Sequence, residues 1–136
     1  MSITWITIIL VIENCLSEFK LVSSYLTDRG YNVIKSTSAK EALEIILEEK
    51  PDAIVTDVVM PGMSGFELCR FIKTNPTNQK VPMIICSNKN QEIHHFWAKK
   101  QGADAYITKP YTPEQLLSVI KFLETMFEKS FYIKFG

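Results

Sequence analysis

A chain of 136 residues and 15.6 kDa has room for one compact domain whose single core buries about two thirds of the unfolded surface. Fifteen Lys and Arg balance fifteen Asp and Glu, so the cationic excess that draws proteins to nucleic-acid phosphates is missing. The expectation is one domain with no direct nucleic-acid contact and no separate output domain.

The apolar opening from Ile3 to Ile12 is interrupted by threonines and lacks a basic leader. It is far shorter than the roughly 20 residues of a membrane-spanning helix, so it reads as a buried strand and no membrane partner is expected. Ile6 to Ile12 is nearly continuous and β-branched, as in a parallel strand covered on both faces, and ends at Glu13-Asn14. Leu16, Phe19, Val22, Tyr25 and Leu26 then recur at helical spacing, with Gly30 placed for a left-handed stop. Asn32 to Ile34 is a short second strand. Ser38 and Glu41 form a capping box, and Ala42, Ile45 and Ile46 give the second helix its inner face.

Ala53 to Asp57 is a third strand that breaks into Met60-Pro61-Gly62-Met63-Ser64-Gly65. Ser64 and Glu67 form another box, which starts a helix whose amides lie near the Asp57 loop. The helix carries Phe66, Leu68, Phe71 and Ile72 and stops before Asn75-Pro76. Val81 to Ser87 is a fourth strand. A helix over Gln91 to Gln101 should turn Ile93, Phe96 and Trp97 inward and stop at Gly102. Tyr106 to Thr108 is the fifth strand, ending at Lys109-Pro110. Thr112-Pro113-Glu114-Gln115 starts a last helix in which Leu116, Val119, Ile120, Leu123 and Phe127 repeat at helical spacing.

Five strands alternating with five helices imply an α/β fold with a parallel doubly wound sheet and right-handed crossovers. Residues 1–128 form the domain. Residues 129–136 are an aromatic tail beyond the last helix that could dock on the domain, pair two copies into a homodimer, or be the stub of a longer chain. Cys15, Cys69 and Cys86 are odd in number and widely spaced in apolar surroundings, which implies reduced, mostly buried thiols and a cytoplasmic location.

In such a sheet the chemistry gathers at the carboxyl ends of the strands, where Glu13-Asn14, Asp57, Ser87 and Lys109 meet along one edge. Carboxylate and amide oxygens suit Mg²⁺, a hard ion that accepts phosphate oxygens as further ligands. Asp57 could attack a phosphoryl group, with Lys109 offering charge and Ser87 a hydroxyl. Taken singly, each of these residues is an ordinary turn or surface residue. Their convergence favours a reactive site.

Asp57 with Met60 to Gly65, Ser87 after a Pro-containing apolar strand, and Tyr106-Ile107-Thr108-Lys109-Pro110 resemble the receiver domain of two-component response regulators, over about Thr7 to Phe127. The resemblance implies a flavodoxin-like strand order of 2-1-3-4-5. It also implies a phosphoryl group taken on Asp57 from a sensor histidine kinase or phosphotransfer protein, with Mg²⁺ held by Glu13, Asn14, Asp57 and the Val59 carbonyl. Such a chain is a signalling domain that promotes only its own phosphorylation and dephosphorylation. By the same resemblance the Lys109-Pro110 peptide would be cis. Ser87 and Tyr106 would switch the face built by the fourth helix, fifth strand and fifth helix, where a downstream protein binds.

The chain also departs from that pattern. Asn14 replaces an acid at the metal position, which removes a negative charge and should weaken the ion's hold. An apolar Val59 beside a long Lys89 should hinder water and prolong the phosphorylated state. An alternative reading keeps the fold and drops the chemistry: a phosphate-independent pseudo-receiver acting as an interaction scaffold. A flavin carrier would want a Gly-rich loop after the first strand, and an Asp-x-Asp phosphatase an acid at Val59; neither is present. His94-His95 reads as a solvated pair, and Lys99-Lys100 as cations at a helix end or as part of a partner face.

Overall fold

A computed structural model describes residues 5–88 and 92–135, with side chains through residue 126. Ile3, Lys89, Gln91 and Gly136 lie outside the described residues, as do the side chains of Phe127 and of the aromatic tail. The chain alternates β1 (Ile8–Ile12), α1 (Leu16–Asp28), β2 (Asn32–Ser36), α2 (Ala39–Glu49), β3 (Ala53–Asp57), α3 (Gly65–Lys73), β4 (Met83–Ser87), α4 (Glu92–Lys100), β5 (Ala105–Thr108) and α5 (Pro113–Phe135). All strand pairs are parallel and the order is β2-β1-β3-β4-β5, the doubly wound flavodoxin-like arrangement.

Alternation along the strands divides the core. Ile9, Val11, Val55 and Cys86 point to one face and pack with Val22, Leu26, Leu116 and Ile120 of α1 and α5. Leu10, Ile12, Ile54 and Ile85 point to the other and meet Ala42, Ile46, Leu68, Ile72 and Ala98 of α2, α3 and α4. The helix starts follow their signals. Ser38 and Ser64 each accept a hydrogen bond from the amide three residues on, and Thr112 and Gln115 satisfy one another reciprocally. Gly30 and Gly102 take left-handed φ values of 92° and 95° where α1 and α4 must end.

Two carboxylates, the half-buried Asp52 and the buried Glu124, brace the amino edge of the sheet. Asp52 accepts from the amides of Thr7 and Ile8, and Glu124 of α5 accepts from those of Trp5 and Ile6. Asp104 pairs with Lys73 at 2.8 Å and accepts from the Met83 amide, which joins α3, β4 and the turn before β5.

Several sequence expectations need correction. Ile93, Phe96 and Trp97 do not face inward; they are 54%, 56% and 46% exposed, and Ala98 is the buried residue of α4. The apolar stripe of α4 therefore lies on its outer side. Leu16 of α1 and Phe71 of α3 are exposed members of their helical patterns, whereas Phe19, Val22, Cys69 and Ile72 occupy the inner positions. Cys15 is exposed at the N-cap of α1, whereas Cys69 and Cys86 are buried as expected. The stretch 130–135 does not follow the last helix, since α5 continues through Phe135. The histidines are not a simple solvated pair either. His95 packs on Tyr106, and Nδ1 of His94 is buried without a hydrogen-bond partner.

Candidate functional site

Three parallel strands deliver the site. β1 runs out at Ile12, so Glu13 follows at its carboxyl end, buried, with its amide donating to the Ser36 carbonyl. β3 ends on Asp57, whose side chain shares the face of Val55. β4 ends on Ser87, which is buried and turned to the opposite face. Asp57 lies beside Cys86 in register, and Ser87 beside Thr108, one residue before Lys109. The Lys109 amide donates to the Ser87 carbonyl at 2.7 Å, and the Lys109-Pro110 peptide is cis.

Parallel registry thus brings Lys109 over the acids. Its ammonium lies 2.6 Å from Oδ1 of Asp57 and 2.8 Å from Oε1 of Glu13, two carboxylates that are mostly buried. Burial alone would lower the lysine's affinity for its proton. The hydrogen bonds to Asp57, Glu13 and Glu18 overcome that and hold it charged well above the ordinary lysine range. A cleft of about 390 Å³ opens above, lined by Asp57, Val58, Val59, Ser87 and Lys109 among others. Val59 is 80% exposed at its rim. The N-terminus of α3 closes against this loop: the Gly65 amide donates to the Val58 carbonyl, and a Cβ at Gly65 would collide with the Asp57 carbonyl oxygen.

The expected site residues therefore fall into two groups. Glu13, Asp57 and Lys109 touch, with Ser87 and Val59 on the same cleft. Asn14 is exposed beside Glu13. Tyr106 lies across the sheet, on the α3–α4 face, partly buried against the cluster that contains Ile85 and Ala98. Lys89 is outside the described residues.

Two neighbours escaped the sequence reading. Glu18, in the first turn of α1, places Oε2 3.0 Å from the Lys109 ammonium and lines the cleft. The available signal was weak, an acid in the first turn of a helix that starts at the edge of the site. Tyr111, just past the cis peptide, hydrogen-bonds Cys86, the register neighbour of Asp57. Burial and the charge of Asp57 push the Cys86 thiol up to about 12.

The donor set fits a hard cation. Among the described residues no three His, Cys, Asp or Glu side chains form a metal-binding group. An ion would thus rest on the Glu13 and Asp57 carboxylates with amide or main-chain oxygens, a mixture that Mg²⁺ accepts while retaining water.

Comparison with known proteins gives the family and agrees with the fold. The model of the response regulator receiver domain matches residues 9–121, and the chain belongs to that family, a signalling domain of two-component systems. It is 34% identical to the protein PilH of Pseudomonas aeruginosa over 82% of this chain and 93% of that one. It is also 35% identical to the regulatory protein VanR of Enterococcus faecium, of which it spans 48%. Among solved structures, the chemotaxis response regulator CheY4 of Vibrio cholerae superposes with a TM-score of 0.80 at 27% identity, over 86% of this chain and 98% of that one. A receiver domain protein of Methanospirillum hungatei superposes with a TM-score of 0.84 at 26% identity, over 93% and 99%.

Proposed function

We propose that the chain is a receiver that takes a phosphoryl group on Asp57 from a sensor histidine kinase or phosphotransfer protein. The observation that carries this reading is the 2.6 Å contact between the Lys109 ammonium and Asp57 Oδ1 at the mouth of a cleft that also holds Ser87. In the transfer, a carboxylate oxygen of Asp57 bonds to phosphorus as the bond from phosphorus to the donor's imidazole nitrogen breaks. The electron pair leaves with that nitrogen, which is then protonated. Lys109 and the Ser87 hydroxyl stabilise the charge on the transferred oxygens.

Glu13, Asp57, the Asn14 amide and the Val59 carbonyl are the groups that would hold Mg²⁺, which supplies neutralisation of phosphoryl charge. Asn14 contributes no negative charge, so the ion's hold is weak. Val59, apolar at the rim, disfavours an attacking water, and the phosphoryl group should be long-lived.

Output passes through Ser87 and Tyr106 to the α4–β5–α5 face, where Ile93, Phe96 and Trp97 are exposed and Lys99 and Lys100 end the helix. A protein target, rather than nucleic acid or membrane, is the partner that this neutral chain suits, and a homodimer through the same face is compatible with it. Among the described residues no helix is long and apolar enough to cross a membrane. A cytoplasmic site of action fits the free thiols.

Asn14 favours one second reading, a pseudo-receiver that binds its partner without phosphate. Intact-mass measurement after incubation with acetyl phosphate and Mg²⁺ separates the two. A gain of one phosphoryl group that disappears in Asp57→Ala supports transfer, and no gain at generous Mg²⁺ supports the scaffold.

A further inference from the structure

An ammonium group carries three N–H donors, and the resting arrangement gives Lys109 an acceptor for each: Asp57 at 2.6 Å, Glu13 at 2.8 Å and Glu18 at 3.0 Å. No donor remains for a phosphoryl oxygen, so one partner must leave before Lys109 can engage the transferred group. The three are not equivalent. The side chains of Glu13 and Asp57 are 8% and 14% exposed, whereas that of Glu18 is 53% exposed. Returning Glu18 to water costs little solvation, while releasing Glu13 would leave a buried charge without its partner. Glu18 also lines the cleft by which an anionic phosphodonor must arrive, and three carboxylates there already face one ammonium.

We propose that Glu18 is a displaceable counter-ion that occupies the third donor of Lys109 until a phosphoryl group on Asp57 takes its place, and so sets how readily that group is bound. Glu18 is a positioning residue that acts through Lys109. The inference rests on Asp57 being the phosphoacceptor. Replacing Glu18 by an amide of the same shape frees a donor and removes a repelling charge, so phosphoryl binding should tighten without a change in metal affinity.

The test titrates beryllofluoride, a phosphoryl mimic, into the full chain at saturating Mg²⁺, and Mg²⁺ alone in a separate titration, for wild type and Glu18→Gln. Beryllofluoride should bind the variant about two- to fivefold more tightly, the range of one exposed ion pair. Mg²⁺ affinity should stay within about twofold, and the difference in beryllofluoride affinity should shrink as salt rises from about 0.05 to about 0.5 M. Equal or weaker beryllofluoride binding by the variant, with wild type binding normally, overturns this inference alone. A roughly tenfold loss of Mg²⁺ affinity also overturns it, because Glu18 would then be a metal ligand. If neither protein takes beryllofluoride, the phosphoacceptor reading fails and this inference fails with it.

Discussion

The rings of His95 and Tyr106 stand 4.3 Å apart at 48°, which ties the outer helix of the α4 side to the aromatic residue of β5. Close aromatic ring pairs contribute about 0.5–1.5 kcal/mol beyond their area. The pair is therefore expected to hold Tyr106 in its present packing. A double-mutant cycle of His95→Ala and Tyr106→Ala should give a coupling energy in that range from denaturant unfolding. Coupling indistinguishable from zero would show that the two rings are neighbours without mutual support.

Gly65 has no room for a side chain, since a Cβ would meet the Asp57 carbonyl oxygen and the neighbouring main chain. Gly65→Ala must push the start of α3 away from the Asp57 loop, and should lower stability by about 1–3 kcal/mol, the usual range for overpacking. Chemical denaturation measures it. A neutral substitution would mean that the loop shifts freely, and the close seating of α3 would carry no constraint.

Each resolved proton-affinity shift is upward. Burial raises Cys69 and Cys86 from 9.0 to about 12, burial and Glu124 raise Tyr31, burial with Cys86 raises Tyr111, and Lys109 is raised by its carboxylate partners against burial. These groups keep their protons longer folded than unfolded. Their contribution to stability is whole below about pH 9 and is lost as pH climbs toward 12. Thermal midpoints should fall steadily from pH 9 upward. A thiol reagent at pH 8 should modify exposed Cys15 alone until the protein unfolds. Flat midpoints between pH 9 and 11, or rapid labelling of all three thiols in the native state, would contradict the burial described.

Asn14→Asp restores a charge next to Glu13. One added unit charge at about 4 Å from a divalent ion is worth more than about 1 kcal/mol even in a watery environment. Mg²⁺ affinity by titration calorimetry should therefore rise about tenfold. No change would place residue 14 away from the ion.

Much of this arrangement was legible because its signals are local. A β-branched run ending on Asp57, the capping serines, the glycines after α1 and α4, and Lys109 before a proline each specify a strand or helix end. Parallel alternation then carries the ends to one edge. The face of α4 was not legible. Ile93, Phe96 and Trp97 form a helical stripe that reads as a core face, yet they point outward because the narrow inner position takes Ala98. Periodicity reports that an apolar side exists and is silent about what it meets. Glu18 was missed for a related reason: its value depends on which first-turn side chain of α1 overhangs the cleft, a tertiary fact. The same holds for Asp52 and Glu124, whose amide partners lie 45 and 119 residues away in the chain.

The most direct measurement locates the phosphoryl group. Protein treated with acetyl phosphate and Mg²⁺, then reduced with borohydride, converts an aspartyl phosphate to homoserine, which peptide mass mapping assigns to a position. The account predicts homoserine at position 57, dependent on Mg²⁺ and strongly diminished in Lys109→Ala. Conversion at another acid, or none at all in protein shown to be folded, would contradict it.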